Sequence, residues 1–231
     1  RTHYQDLAQM PLFIAAGVTP NVMLLVDNSG SMNSIIWAAY DPVAGTGFDS
    51  TQVYPDWSPM IDHDCNTGTA LREAWSATDG NINYSTLTNS RYRGTCAGST
   101  PTLPNCAAGT VRGRNADATV TKCLVLPDPV GGGSTRYQGN YLNYLFNTYA
   151  GGTNLTTGLI PNDYRMNVAK NVATDVVNDN TNLRMGLTAF NTDDGGRVLQ
   201  SCNTGNTAAL VGDINALTAS TWTPLGEALY E

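Results

Sequence analysis

The sequence predicts an α/β fold built on a mostly parallel sheet, and three segments carry the prediction. Residues 22–26 are continuously apolar and β-prone, as is typical of a strand buried on both faces of such a sheet. Residues 163–178 have apolar side chains at helical spacing, and residues 183–190 have the composition of a second core strand. Strands that alternate with a helix are expected in a parallel α/β sheet.

The elements before and after the first strand follow from proline, glycine and periodicity. Residues 1–20 contain a short apolar stretch, 10–16, which predicts a strap or edge strand rather than a helix. Residues 21–32 form the first strand and the loop that follows it. Residues 33–135 lose all periodicity and are predicted to be a folded insertion with short strands, the best of them at 119–126. The run Gly131-Gly132-Gly133-Ser134 is expected to close it as a flexible joint.

Regular structure is predicted again over residues 136–231. We expect a helix at 140–149 with one aromatic face, and then the 163–178 helix with Asp163 as a possible N-cap. The 183–190 strand follows, and a hairpin turn at 193–196 leads into an antiparallel edge strand at 197–200. The last elements are a helix at 208–217 and a helix that starts with Thr223 as N-cap and Pro224 in its first turn. The sheet is expected to be incomplete, because three strands leave one of its sides unpaired.

The composition excludes several classes of partner. Only 13% of residues are charged, against about a quarter in average proteins, and the net charge is −7. Nucleic acids and anionic membrane surfaces attract basic patches, so neither is an expected partner. No apolar run approaches the roughly 20 residues of a spanning helix.

The cysteine pattern predicts disulfides in a secreted or surface-exposed protein. The spacing contains no C-x-x-C pair, which excludes the usual zinc ribbons and thioredoxin motif. Reduced, buried cysteines in a cytosolic protein are the alternative. Because the number is odd, at least one thiol is free or pairs elsewhere, and the connectivity stays open among Cys65, Cys96, Cys106, Cys123 and Cys202.

The most informative motif follows the first strand. Asp27, Ser29 and Ser31 alternate around Gly30, where ligands of open α/β sheets bind beyond the carboxyl ends of the strands. One carboxylate and two hydroxyls suit a hard divalent cation, Mg²⁺ or Ca²⁺, and leave it electrophilic. Thr223 is an independent candidate ligand. The simpler alternative is a turn that caps the next helix.

Other chemistry has less support. An aspartyl phosphatase would need a second Asp at position 29, and the sequence contains no nucleophile elbow and no P-loop. With two histidines in the chain, hydrolysis has few general bases available, so we expect no enzymatic activity. A weaker second cation site resembles an EF-hand loop, but Thr67 occupies the position that requires glycine, and a solvated polar turn is the alternative; its residues are Asp62, Asp64, Asn66 and Glu73.

Residues 22–32 resemble the first motif of the metal-ion-dependent adhesion site of von Willebrand factor A domains. The wider segment 10–32 is similar to the N-terminal A domain of type IV pilus tip adhesin and assembly proteins, as are the stretches 140–145 and 223–229. The resemblance implies a doubly wound, Rossmann-like A-type fold with the insertion after its first strand. It also implies that Asp27 acts through a bridging water, that Ser29 and Ser31 coordinate directly, and that Thr223 joins or leaves the metal.

The resemblance implies a non-enzymatic adhesion and assembly module, exported through the periplasm to the extracellular pilus tip. Its expected partners are minor pilins and a host or abiotic surface. The apolar strap is expected to contact a pilin through Met10, Leu12, Phe13 and Ile14; the alternative is that it covers the domain's own exposed sheet edge or a helix. The alternative function is an intracellular A-domain subunit that partners an AAA-type ATPase in a chelatase-like complex.

Overall fold

The computed structural model describes residues 19–38, 40–59, 62–64, 69–71, 77–88, 109–115, 120–192 and 195–228, which combine helices and strands in an α/β protein. In chain order the elements are β1 (Asn21–Val26), a 3-10 helix (Gly30–Asn33), β2 (Trp57–Pro59), β3 (Asp62–Asp64), β4 (Thr69–Leu71), β5 (Ile82–Asn83), α1 (Tyr84–Thr88), β6 (Val111–Asn115), β7 (Thr121–Leu124), β8 (Arg136–Tyr137), α2 (Gly139–Thr148), α3 (Arg165–Asp179), β9 (Arg184–Phe190), β10 (Gly196–Asn203), α4 (Thr207–Ala216) and α5 (Leu225–Ala228).

The chain divides into two compact units. The first unit comprises residues 1–28 and 170–231, and the second comprises residues 29–169. The second unit therefore extends past the predicted end of the insertion at residue 135. The physical reason is that α2, predicted to belong with the later helices, lies in the core of the second unit. None of the described helices is long and apolar enough to span a membrane.

The first unit contains a three-stranded sheet in the order β1-β9-β10. β9 runs parallel to β1, with Val26 opposite Ala189, and antiparallel to β10. Gly186 is required at the centre, because a Cβ there would lie 2.7 Å from the carbonyl oxygen of Gln200. Both core strands and the antiparallel edge strand were thus predicted in the right places.

One expectation about the first strand is wrong. β1 was predicted to be buried on both faces, but Met23 is 44% exposed and Val22, Leu24 and Leu25 are only partly buried. The most buried strand of this sheet is β9, which lies between β1 and β10 and is contacted by α4 and α5. Its central place explains why Met185, Leu187 and Ala189 have almost no exposed surface.

The second unit is organised around α2. Its apolar face, which includes the fully buried Leu142 and Phe146, packs into one aromatic-rich core with Trp57 of β2. β2, β6 and β7 form an antiparallel sheet, and β7 fulfils the strand predicted near residues 119–126. The Lys122 ammonium donates to the carbonyl oxygens of Phe146 and Tyr149 at 2.5 and 2.6 Å, which satisfies the C-terminus of α2.

The glycine run at 131–133 is an ordered turn rather than the predicted flexible joint. The Asp128 carboxylate accepts the N–H of Gly133 at 2.8 Å and that of Thr135 at 3.2 Å. It also accepts the hydroxyl of Thr135, which is fully buried. Gly131, Gly132 and Gly133 all have positive φ, which favours glycine at each position. Glycine therefore gives this segment a particular turn geometry, which side-chain hydrogen bonds fix.

Two predicted N-caps differ in detail. α3 begins at Arg165, and the Asp163 carboxylate accepts the N–H of Tyr164 and the side-chain amide of Asn167, both at 2.8 Å. α5 begins at Leu225, and the carbonyl oxygen of Thr223 accepts the N–H of Leu225 at 2.9 Å. Both residues thus lie two positions before the first helical residue, one position earlier than an N-cap.

Candidate metal centre

The end of β1 in the first unit is anchored by Asn28, directly after Asp27. Asn28 is 4% exposed, and its Nδ2 donates to the carbonyl oxygen of Phe190, the last residue of β9, at 3.3 Å. Its main-chain carbonyl accepts the N–H groups of Ser220 and Thr221 at 3.0 and 3.2 Å. The segment that leads to Thr223 is therefore hydrogen-bonded to the residue beside Asp27.

Thr223 lies on an exposed segment between that anchor and α5. Its side chain is exposed, and so are its neighbours Trp222 and Leu225, at 75% and 49%. Within the described residues the Thr223 hydroxyl makes no hydrogen bond, while its carbonyl is used by Leu225. The hydroxyl can therefore bind a ligand without breaking a contact of the first unit.

The two serines of the motif converge within the second unit. Ser29 is 2% exposed, and its Oγ lies 2.9 Å from the Oγ of Ser31. The 3-10 turn fixes this geometry, because Met32 donates to the carbonyl of Ser29 at 2.9 Å and Ser34 to that of Ser31 at 3.1 Å. Two hydroxyl oxygens this close can coordinate one cation.

Arg136 is a neighbour of this turn that sequence reasoning missed. A Cβ on Gly30 would lie 3.0 Å from each terminal nitrogen of the Arg136 guanidinium, so a larger residue between the two serines would displace the end of that side chain. The Arg136 backbone is held there, because its carbonyl accepts the N–H of Ile35 at 2.9 Å. No motif links Gly30 to a residue more than a hundred positions later, and no sequence signal could have revealed the contact.

The residues present fit a hard divalent cation. Hydroxyl and carboxylate oxygens are suitable ligands for Mg²⁺ and Ca²⁺. Among the described residues, no group of three or more His, Cys, Asp or Glu side chains could hold a metal ion. The candidate centre combines one carboxylate, that of Asp27, with serine and threonine hydroxyls. It therefore does not require a cluster of His, Cys, Asp or Glu side chains.

The weaker cation site has a different backbone from an EF-hand loop. Asp62 and Asp64 lie in β3, which pairs antiparallel with β4, so that Asp64 is opposite Thr69. An EF-hand places its first ligands in a loop that follows a helix. Asn66 and Glu73, the other two predicted ligands, lie outside the described residues.

The cysteines and the strap are described only in part. Cys123 is disulfide-bonded, whereas Cys202 is a free, partly buried thiol whose Sγ donates to the carbonyl oxygen of Val22 at 3.7 Å. Outside the described residues lie Cys65, Cys96 and Cys106, together with the strap residues Met10, Leu12, Phe13 and Ile14.

No protein-family model matches the chain, and neither a curated protein nor a solved structure is similar to it.

Proposed function

We propose that the chain is a non-enzymatic adhesion and assembly module of the von Willebrand factor A type, which binds a divalent cation through Asp27, Ser29, Ser31 and Thr223. The observation that carries the proposal is the convergence of the Ser29 and Ser31 hydroxyls, 2.9 Å apart, in the turn after β1. The Ser29 hydroxyl does not cap the 3-10 helix that it precedes, and two hydroxyl oxygens this close can coordinate one cation.

The sheet of the first unit supports an A-type fold. An antiparallel edge strand, β10, lies beside β9, and β9 lies parallel to β1. In open α/β sheets, ligands bind beyond the carboxyl ends of the strands. Asp27 and the anchored segment before Thr223 are at that end of β1 and β9.

The charge distribution favours an acidic group as the ligand of the cation. A single carboxylate and three hydroxyls neutralise little of the charge of Mg²⁺ or Ca²⁺, so the ion can accept a carboxylate from a partner. The Arg136 guanidinium beside Gly30 adds a positive charge next to the serines. It weakens cation binding by repulsion and strengthens the attraction for an anionic partner.

We place this module at the extracellular tip of a type IV pilus, with minor pilins and a host or abiotic surface as partners. The resemblance of residues 10–32 supports that placement, and Met10, Leu12, Phe13 and Ile14 are the proposed pilin contact. The disulfide at Cys123 favours an exported protein over an intracellular partner of an AAA-type ATPase, since cytosolic thiols are kept reduced.

The proposal is tested in the piliated bacterium that encodes the chain. Ser29→Ala should abolish surface attachment, and EDTA should have the same effect on the wild type, while pilus number stays unchanged. Ser134→Ala is the matched control, because Ser134 is an exposed serine of the same unit and is not among the proposed ligands. Attachment that survives both Ser29→Ala and EDTA would contradict a cation-dependent adhesion site.

A further inference from the structure

A cleft of about 260 Å³ lies in the first unit, where β9 ends and α4 leads into the segment at 217–221. Its walls include Asn28, Arg197, Leu199, Asp213, Leu217 and Thr218. Its volume is just below the roughly 300–1,000 Å³ of typical small-molecule clefts, so its ligand must be small. None of the proposed metal ligands lines it.

One residue of the cleft wall, Asn28, has a buried acceptor that no described residue uses. Asn28 donates from Nδ2 to Phe190 and accepts at its main-chain oxygen, but within the described residues its Oδ1 has no hydrogen-bond partner. The residue is 4% exposed, so bulk water satisfies this oxygen poorly. Buried polar atoms are rarely left without a partner, and because this oxygen has almost no accessible surface, the Asn28 side chain has to turn toward the cleft before a ligand can donate to it.

The other polar groups of the cleft complement hydroxyls. Asp213 presents a carboxylate that is held by the Nε2 of Gln200 at 2.7 Å, and Arg197 contributes donors only. Thr218 adds a hydroxyl that can donate or accept. Among the lining residues that the structure describes, the one negative and the one positive side chain balance, which disfavours a metal ion or a simple anion there.

Part of the remaining wall is apolar, beside the polar residues Asn191, Thr192, Ser220 and Thr221. Leu199, Ala216 and Leu217 line the cleft beside the polar groups. A sugar ring combines these properties, because its hydroxyls both donate and accept while its C–H face is apolar. We propose that this cleft binds a single sugar ring of a glycan, without a metal ion. The site goes beyond the proposed cation site and does not depend on it.

Saturation-transfer NMR on the whole chain tests the proposal, with the methyl glycosides of glucose, galactose, mannose and N-acetylglucosamine as probes and EDTA present throughout. At least one glycoside should receive saturation from the protein. Ala216→Trp fills the cleft and should abolish the transfer. The matched control Ala209→Trp, at an exposed position of α4 outside the cleft, should leave it unchanged.

A second variant keeps the test valid if Ala216→Trp lowers the melting temperature. Asp213→Asn retains an oxygen for Gln200 but removes the negative charge, and should weaken glycoside binding about tenfold. Transfer to none of the four glycosides would overturn the proposal and leave Asn28 Oδ1 to an ordered water. Binding of glycine or glycylglycine in place of every glycoside would overturn it in favour of a zwitterionic ligand.

Discussion

Asparagine side chains on one face of α2 form hydrogen bonds with the backbone of the segment before β2, in place of the hydrogen bonds that a helix or a sheet would provide. Asn143 is fully buried, accepts the N–H of Trp57 at 2.9 Å and donates to the Asp56 carboxylate at 3.1 Å. Asn140 accepts the N–H of Tyr54 at 3.0 Å, and Asn147 donates to the carbonyl of Pro55 at 2.8 Å. Residues 52–56 lie outside any helix or strand, so these side chains satisfy backbone groups that would otherwise be unpaired.

Asn143→Leu should therefore destabilise the second unit strongly. The substitution keeps the volume but leaves the N–H of Trp57 buried and unpaired, at a cost of about 1–3 kcal/mol. Asn178→Leu, at an exposed position of α3, should change stability by no more than about 0.5 kcal/mol. Urea unfolding followed by tryptophan fluorescence measures both, and equal effects would contradict the role of Asn143.

Asp128 should make the second unit sensitive to acid. Partial burial raises the pKa of Asp128, but hydrogen bonds from Thr135, Gly133 and Gly131 outweigh burial and hold the pKa below its usual value. The carboxylate thus contributes stability that is fully present above the unfolded pKa of about 3.9 and is lost as pH falls through the folded pKa.

Melting temperatures measured from neutral pH into the acid range test this expectation. Asp128→Asn should lower the melting temperature at neutral pH and flatten its fall in acid, because the variant has no carboxylate to protonate. Asp41→Asn is the control, since Asp41 accepts hydrogen bonds only in an exposed turn. Unchanged acid sensitivity in Asp128→Asn would show that another group controls it.

At the scale of the element, the 131–133 turn should tolerate substitution unequally. Gly132 and Gly133 both have positive φ, but a Cβ on Gly132 meets nothing within 4 Å, whereas one on Gly133 would lie 2.6 Å from the Cβ of Ser85. Gly132→Ala should cost about 1–2 kcal/mol from backbone strain alone, and Gly133→Ala clearly more. Thermal unfolding of the pair checks this, and equal losses would rule out close packing against α1.

Elements with strong local patterns were predictable, and elements made by distant pairing were not. The apolar runs of β1 and β9 and the spacing in α2, α3 and α4 indicated them within a few residues. The pairing of Ile82 with Tyr137 and of Trp57 with Asn115 joins segments more than fifty residues apart in a region without periodicity. Sequence patterns report local geometry, and nothing local in those segments specifies their partners.

The contact between the Ser29 and Ser31 hydroxyls was predictable for the same reason, while the cation site itself stays a prediction. The spacing of Asp27, Ser29 and Ser31 after an apolar strand is local, whereas the guanidinium of Arg136 reaches Gly30 only through the pairing of distant segments. The exposure of Met23 could not be predicted either, because it depends on which elements cover β1 and not on the amino-acid composition of β1.

At the scale of the whole molecule, covalent links should hold the insertion together. Its cysteines lie in a region without apolar periodicity, and Cys123 is disulfide-bonded. We expect at least one disulfide wholly within residues 65–123, which typically stabilises by about 2–4 kcal/mol. Alkylation without reduction, followed by peptide mass spectrometry, should label Cys202 and fewer than four thiols of that region. Labelling of all four would contradict the prediction.

The proposed function depends most on whether a cation binds at the end of β1. Since the proposed ligands include only one carboxylate, affinity should be weak, on the order of millimolar as in loosely built extracellular calcium sites. Weak binding of this kind is best followed by paramagnetic Mn²⁺, which broadens the amide NMR signals of residues close to it. Asp27→Ala and Ser29→Ala serve as site variants, and Asp41→Ala, in an exposed turn, controls for non-specific binding to acidic side chains.

The decisive measurement is the Mn²⁺ titration of the ¹H–¹⁵N spectrum of the chain, with Mg²⁺ and Ca²⁺ as competitors. The account predicts selective broadening of the amide signals of residues 27–32 and 220–224, reversed by either competitor and absent in Asp27→Ala and Ser29→Ala but retained in Asp41→Ala. Broadening spread over the acidic surface, or unchanged in Ser29→Ala, would contradict a cation site at Asp27, Ser29, Ser31 and Thr223.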